Sequence, residues 1–265
     1  MIELRSGTVP VDGGELYYER AGEGFPVVLV HGALWDRRIW EPQVEAFAEQ
    51  HDVIRYDQRG HGRSPAPRTR YSEVRDLQAL LDALGVSRCA IVGCSTGAQI
   101  AVDFALAHAD VADAIVLVAP LVSGHEWEGR GIEVLASEIR AAVDAGDPRQ
   151  AMEMELAVWA PLSTDEEADA LIRDVALENV GVYAIDASLG EPPPPAADRL
   201  ADVQAATLVV VGDHDVEEVH RMSDLLAERI PGAQKRVIAG ADQPVNVRRP
   251  DKFNQLVLDF LSFRM

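Results

Sequence analysis

The feature that most constrains the fold of this chain is an alternation of short apolar runs with segments of helical periodicity. Upstream of residue 120, the runs PVVLV, DVIRY, CAIVG and AIVLVA are each followed by a turn and a candidate helix. Such alternation is typical of βαβ units and predicts a mostly parallel sheet. The opening segment VPVDGGELYY differs, because its Asp12-Gly13-Gly14 turn predicts an antiparallel hairpin.

The alternation is interrupted once. Between about residues 121 and 200, apolar residues recur at three- and four-residue spacing, which is typical of helices, and a proline run at 192–195 ends this stretch. The strand runs TLVVVG and KRVIAG then follow, each with a helix behind it. We therefore predict an α/β protein with eight strands, a core domain formed by residues 1–120 and 201–265, and a helical insertion at 121–200.

The charge balance limits the partners of the chain. With 24 Lys and Arg against 44 Asp and Glu, the net charge of -20 does not suit nucleic acid or an anionic membrane. No run approaches the roughly 20 apolar residues that span a bilayer, and no apolar leader follows the first residues. We expect a cytoplasmic protein with a small-molecule substrate or ligand and no nucleic-acid or membrane partner. The sequence contains no metal-ligand or cofactor motif, so we expect neither a metal nor a cofactor. A homodimer is possible.

A candidate nucleophile lies in the sequence Gly93-Cys94-Ser95-Thr96-Gly97. It stands between the buried-strand run CAIVG and the candidate helix AQIAVDFALAHA. This strand-turn-helix context is what a nucleophile elbow requires. The two glycines leave room for a strained turn in which Ser95 takes a positive φ.

A second loop is expected to border the same site. His31-Gly32-Ala33 follows the strand run PVVLV, where an oxyanion hole finds its second donor. The predicted donors are the backbone N–H groups of Ala33 and Thr96. For His31 we favour a structural role, in which the ring orders the loop by hydrogen bonding, over proton transfer.

These motifs resemble the α/β-hydrolase family, as does the segment DQRGHGRS at 57–64, and the resemblance covers nearly the whole chain. It implies the α/β-hydrolase fold, with Ser95 as nucleophile and the insertion after strand 6 as a cap over it. The family's acid follows a strand in a Gly-x-x-Asp arrangement, matched here from Gly212 to Asp215. Asp215 is therefore the predicted acid, and Asp213 is the alternative, more typical of a turn residue.

The chain departs from the family at the catalytic histidine. That histidine usually ends a segment resembling Gly-Ala-Gly-His, with a proline seven residues later; here residues 240–243 read Gly-Ala-Asp-Gln, and Pro250 follows Gln243 by 250 − 243 = 7 residues. Glutamine cannot take a proton near neutral pH, so turnover should be impaired or absent. We expect Gln243 within side-chain reach of Ser95 and Asp215. Another histidine or Asp242 is the alternative base.

Four tryptophans are candidates for substrate contacts. Trp35 and Trp40 follow the predicted oxyanion loop, and Trp127 and Trp159 lie in the insertion. Core packing is the alternative reading for each of them. If they line the pocket, they indicate a modest-sized, uncharged, partly aromatic or cyclic substrate.

Three functional hypotheses follow. The leading one is a serine hydrolase that acts on a small carboxylic ester or lactone through an acyl-enzyme at Ser95, with little or no turnover in this chain. The second is a non-hydrolytic protein that binds a small molecule in the same pocket. The third is a cyclase or isomerase that uses that pocket, because the fold alone does not determine the reaction.

Overall fold

The computed structural model describes residues 3–127 and 131–262. They include one sheet in the order β1-β2-β4-β3-β5-β6-β7-β8. The first two strands are antiparallel, β2 is antiparallel to β4, and all other neighbours are parallel. The predicted eight-stranded sheet with an N-terminal hairpin is therefore confirmed. The strands are β1 Arg5–Val11, β2 Gly14–Ala21, β3 Phe25–Val30, β4 His51–Tyr56, β5 Cys89–Cys94, β6 Ala112–Val118, β7 Ala206–Gly212 and β8 Gln234–Ile238.

Helices cover the sheet and fill the insertion. They are α1 Glu41–Ala48, α2 Glu73–Ala83, α3 Thr96–Ala107, α4 Gly131–Asp144, α5 Pro148–Trp159, α6 Glu166–Glu178, α7 Glu217–Arg229, α8 Val245–Arg248 and α9 Pro250–Ser262. Short 3-10 helices lie at Arg37–Trp40, Val180–Ala184, Ala187–Leu189 and Leu200–Asp202. None of the described helices combines the length and the apolar character that crossing a bilayer demands.

The two faces of the sheet are buried in two hydrophobic clusters. In β3, Val28 and Val30 join one cluster, whereas Val27 and Leu29 join the other, as the two-residue period of a strand requires. Apolar residues of α2, α3 and α7 complete the first cluster, and those of α1, α5, α6 and α9 complete the second. Because β3, β5 and β7 are covered on both faces, their sequences are almost continuously apolar, whereas β4 also contains the buried His51, Asp52 and Arg55.

The strand order places the end of β5 at a special point. From β3 the chain first moves to one side, to β4, and then returns to β5 on the other side, after which β6, β7 and β8 follow in order. In open α/β sheets, ligands bind at the carboxyl end of the strands where the order reverses in this way. Ser95, which directly follows β5, stands at that point.

The predicted insertion at 121–200 contains α4, α5 and α6, and its residues 128–130 lie outside the described part of the chain. No strand occurs among its described residues; a single bridge joins Gly190 to Tyr71 of the core. Met152 and Leu156 of α5 pack into the second cluster, whereas α4 is mostly exposed and buries only Ala142.

Candidate active site

Ser95 occupies a strained turn between β5 and α3. Its φ of 55° and ψ of -116° are unusual for a residue with a side chain, and the residue is only 7% exposed. A β-carbon on Gly97 would lie 2.2 Å from the carbonyl oxygen of Val30, and one on Gly93 would lie 2.2 Å from that of Gly97. The positive φ and the need for both glycines are as the motif predicts.

The strain at Ser95 should be measurable as stability. Ser95→Gly removes the β-carbon from the unfavourable backbone conformation, whereas Ser95→Ala keeps it and removes only the hydroxyl. The glycine variant is expected to unfold with a free energy about 1 kcal/mol higher than the alanine variant, by urea denaturation. An alanine variant of equal or greater stability would show that the turn is not strained.

Gln243 reaches Ser95 but not Asp215. Its Nε2 donates a hydrogen bond to Ser95 Oγ at 3.0 Å, and the residue is 3% exposed. Asp215 Oδ1 accepts from the N–H of Val216 at 2.9 Å, while the buried Oδ2 has no partner among the described residues. The expected reach to Ser95 is therefore present, and the expected link between Gln243 and Asp215 is missing. One amide nitrogen cannot serve both the serine and the acid in the way that two ring nitrogens do.

Burial raises the pKa of Asp215 to about 7, the Val216 N–H partly offsets this, and the charge of Asp242 adds to it. Burial disfavours the ionised carboxylate, and no described donor to Oδ2 offsets that cost. Asp215 is thus an acid without the positively polarised partner that a histidine N–H would supply.

The raised pKa predicts a pH-dependent stability difference for Asp215→Asn. Asp215 ionises near pH 3.8 when unfolded and near pH 7 when folded, so its penalty is absent in acid, grows between these values and is complete above pH 7. The advantage of the asparagine variant in unfolding free energy should therefore grow by roughly 2 kcal/mol between pH 5 and 8. Urea titrations at several pH values measure it, and a constant difference would contradict the assignment.

The loop that carries Gln243 is tied to the end of β7. Asp213 Oδ1 accepts from the N–H groups of Gly240 and Ala241 at 2.6 and 3.3 Å, and His214 N–H donates to the Ala241 carbonyl. A β-carbon on Gly212 would lie 2.1 Å from that same carbonyl oxygen. Asp213 is therefore the turn residue, as the sequence favours, and its role is to position the loop.

Asp242 anchors the same loop and is not a free base. It is fully buried; its Oδ1 accepts from Arg248 Nε at 2.9 Å, and its Oδ2 accepts from the Leu162 N–H at 2.8 Å. Arg248 in turn donates to the Leu162 carbonyl and to Asp169 of the insertion. With both oxygens engaged, Asp242 does not supply the base that the sequence left open.

No other histidine takes the place of the histidine that is missing at position 243. His31 is fully buried, its Nδ1 contacts the Gly32 carbonyl at 2.8 Å, and its Nε2 accepts from the Gln58 N–H at 2.9 Å. Burial, together with the charge of the nearby His61, lowers the pKa of His31 to about 3. This is the loop-ordering role that the sequence predicts. Among the described residues, none of the seven histidines makes a hydrogen bond to Ser95.

The predicted oxyanion donors line one cavity. Ala33 and Thr96 both border a cavity of about 450 Å³, and neither of their N–H groups has a hydrogen-bond partner in the described part of the chain. Gly32 brings the loop close, since a β-carbon there would lie 3.1 Å from that of Ser95. Free N–H groups beside a serine can stabilise a developing oxyanion. No described group of three His, Cys, Asp or Glu side chains is arranged to hold a metal ion.

The four tryptophans divide into two pairs. Trp35 and Trp40 are fully buried: Trp35 Nε1 donates to the Ile172 carbonyl at 3.1 Å, and Trp40 packs against Phe253. Both belong to the core, not to the substrate contacts predicted for them, because the chain turns inward directly after the oxyanion loop.

Trp127 and Trp159 lie where the insertion meets the core. Their rings form an edge-to-face pair with centroids 6.1 Å apart, and the Trp159 carbonyl accepts from the Gln243 N–H at 3.3 Å. Trp159 Nε1 donates to Glu155. Trp159 and Glu155 line a separate cavity of about 410 Å³ within the insertion. Neither tryptophan lines the cavity at Ala33 and Thr96.

The lining of the cavity at Ala33 and Thr96 is more polar than we predicted, because the tryptophans suggested an aromatic lining for an uncharged substrate. Its lining includes Gln58, Gln99 and the carboxylates Glu73, Asp103 and Glu191. The sequence reasoning missed these residues. Glu73 begins α2, and Gln99 and Asp103 lie on α3 at ordinary helical spacing, whereas Gln58 and Glu191 lie in loops, and no motif marks them as cavity residues. Only their shared place in the lining of the cavity identifies them.

A strained serine at the carboxyl end of a central parallel strand defines the class of α/β proteins that carry a nucleophile elbow. A model of the alpha/beta hydrolase family matches residues 27–256, and the chain belongs to this family. It is similar to the provisionally named carbamate hydrolase RutD of Azorhizobium caulinodans, at 30% identity over 258 residues that cover 93% of this chain and 94% of the relative.

Two solved structures are similar over their full length. The first is Est816, described as an N-acyl homoserine lactone degrading enzyme, with 32% identity, a TM-score of 0.78 and coverage of 96% of this chain and 100% of the other. The second is the enol-lactonase from Burkholderia xenovorans LB400, with 30% identity, a TM-score of 0.70 and coverage of 97% and 100%. The chain is thus an α/β-hydrolase whose similar proteins include an enol-lactonase and an enzyme that degrades N-acyl homoserine lactones.

Proposed function

We propose that this chain is a serine hydrolase of small carboxylic esters or lactones that forms an acyl-enzyme at Ser95, with turnover impaired by Gln243. The observation that carries the proposal is the 3.0 Å hydrogen bond from Gln243 Nε2 to Ser95 Oγ beside an acid, Asp215, that has no partner for Oδ2 among the described residues. Ser95 follows β5 and Asp215 follows β7 at the same edge of the sheet, and Ala33 and Thr96 border one cavity, so on this proposal only the base is replaced.

The proposed chemistry needs a proton acceptor at Ser95. Oγ attacks the carbonyl carbon of the ester, and the N–H groups of Ala33 and Thr96 stabilise the oxyanion that forms. The Oγ proton must leave as the new bond forms, and it must later reach the departing alkoxide. Gln243 already donates to Oγ and cannot accept that proton, so both transfers fall to solvent.

We propose that the insertion at 121–200 acts as the cap over this site. Ala187, Gly190 and the prolines 192–193 of the insertion line the cavity together with Ala33 and Thr96 of the core. A substrate in the cavity would therefore contact both parts of the chain.

A binding protein is the second candidate, and the same hydrogen bond favours it. Gln243 gives the Ser95 hydroxyl a hydrogen-bond partner but no proton acceptor. The cavity of about 450 Å³ is large enough for a small ligand. On this reading the chain binds esters or lactones and releases them unchanged.

The deciding experiment is hydrolysis of a short-chain aryl ester by this chain and by its Gln243→His variant, with Ser95→Ala as background. A large gain that depends on Ser95 supports the hydrolase. No gain from the histidine would reject the hydrolase proposal and leave the binding protein.

A further inference from the structure

The cavity at the oxyanion donors has a negatively charged wall. Glu73, Asp103 and Glu191 line it, and of the described residues that line it none is Lys or Arg. Glu191 is paired with Arg75, but neither Glu73 nor Asp103 is in an ion pair with any described residue. Asp103 accepts instead from the Ser123 hydroxyl at 2.7 Å. The cavity therefore carries charge that its own walls do not neutralise.

A smaller cavity of about 60 Å³ adjoins this one. The two cavities share Gln58, His61, Tyr71 and Glu73 as lining residues. We call the smaller one the side pocket. Since a water molecule occupies roughly 30 Å³ in the liquid, the side pocket has room for a terminal group of a few atoms.

The side pocket contains a hydroxyl that the protein leaves unsatisfied. Tyr56 lines it and is 1% exposed, and its hydroxyl has no hydrogen-bond partner among the described residues. A buried polar group without a partner costs about 1–3 kcal/mol, so a ligand group that donates a hydrogen bond to the hydroxyl oxygen would offset part of that cost. Arg59, which is the one Lys or Arg among the described residues of this lining, is already held by Asp76 through bonds of 2.6 and 2.7 Å.

We propose that the side pocket binds a primary ammonium group of the ligand, with Glu73 as its counter-ion and the Tyr56 hydroxyl as an acceptor. An ammonium group offers three donors and no acceptor, which suits a wall of carboxylate and hydroxyl oxygens. The inference rests on the proposed function for the reacting end of the ligand. It names the substrate class as esters or lactones that carry a primary amine.

Charge complementarity favours a cation over the other ligand types. The side pocket is lined by two carboxylates, Glu73 and Asp76, against the single charge of Arg59, so a carboxylate would meet net repulsion and a neutral group would gain no ion pair with Glu73. Burial raises the pKa of Glu73 and the nearby Asp76 adds to this, while its own backbone N–H and the charge of Arg59 oppose it, so a bound cation would further favour the ionised form. The net charge of -20 also attracts cations at long range.

The first test compares three ligands of one shape: n-pentylammonium, 1-pentanol and pentanoate. Isothermal titration calorimetry with the parent chain at pH 8 and low salt needs no turnover. Pentylammonium is expected to bind at least about tenfold more tightly than pentanol, because charged hydrogen bonds exceed neutral ones by that margin, and pentanoate is expected not to bind. Equal or tighter binding of pentanol would overturn the proposal.

The second test uses variants of the two side-pocket residues. Glu73→Gln is expected to weaken pentylammonium binding by about tenfold, and Tyr56→Phe by about threefold without lowering the melting temperature, since the phenylalanine removes an unsatisfied hydroxyl. Glu166→Gln, an exposed acid in α6, is the control and should change nothing. Unchanged ammonium affinity in folded Glu73→Gln would refute the counter-ion role.

These outcomes are separate from the test of the hydrolase. An ammonium preference can persist if Gln243→His fails to hydrolyse esters, and ester hydrolysis can persist if the preference is absent. If Glu73→Gln fails to fold, the ligand series and Tyr56→Phe still decide.

Discussion

Gln243→His is expected to raise kcat for a short-chain aryl ester by at least about a hundredfold, with an upper limit near a millionfold, the cost of losing the histidine in a serine protease. The imidazole Nε2 lies the same number of bonds from Cα as the amide Nε2 that now contacts Ser95 Oγ at 3.0 Å. It would replace a donor with an acceptor at that place. The other ring N–H would meet Asp215 Oδ2, which has no partner in the described part of the chain.

The controls for this gain are Ser95→Ala and Asp215→Asn, each made in the histidine background. Ser95→Ala should return the rate to that of the parent chain. Asp215→Asn should lower kcat by up to roughly 10⁴-fold, because the imidazole loses the group that orients it. A gain that survives Ser95→Ala would place the chemistry elsewhere, and the absence of any gain would reject the assignment of position 243.

Arg248→Met is expected to lower the unfolding free energy by about 3–5 kcal/mol, the cost of leaving a buried charge without its partner. Asp242 is fully buried, and the side chain of Arg248 is only 1% exposed in their ion pair. The variant also loses the bonds to Asp169 and to the Leu162 carbonyl, which join the loop to the insertion. Chemical denaturation with both circular dichroism and fluorescence measures the change.

Arg173→Met is the matched control. Arg173 pairs with Glu153 on the surface, where its side chain is 53% exposed, and such pairs contribute less than about 1 kcal/mol. Adding Asp242→Asn to Arg248→Met should recover part of the loss, since asparagine keeps an acceptor for the Leu162 N–H without the charge. Equal costs for the two arginine variants would show that the buried pair does not stabilise the loop.

The elbow could be predicted from sequence because its constraints are local. Gly93 and Gly97 stand beside Ser95 in the chain, and the same backbone geometry that excludes their side chains sets the φ of 55°. Position 243 could be assigned because the family resemblance fixes the spacing to Pro250. The orientation of its amide, which favours Ser95 over Asp215, depends on side-chain contacts that no spacing encodes.

The cavity lining could not be predicted because residues distant in the chain form it. Tyr56 ends β4 and Glu73 begins α2, and only folding brings them to one pocket. Trp35 illustrates the converse: its place after the oxyanion loop suggested a ligand contact, but its indole bonds to Ile172 of the insertion.

The Asp215 Oδ2, which has no partner among the described residues, also has a consequence at the level of the gene. Codons for glutamine and histidine differ by a single base in the third position, so one nucleotide exchange would place an imidazole at position 243. Ser95, Asp215 and both elbow glycines are present in the chain. In genetic terms the proposed set of catalytic side chains is one point mutation away.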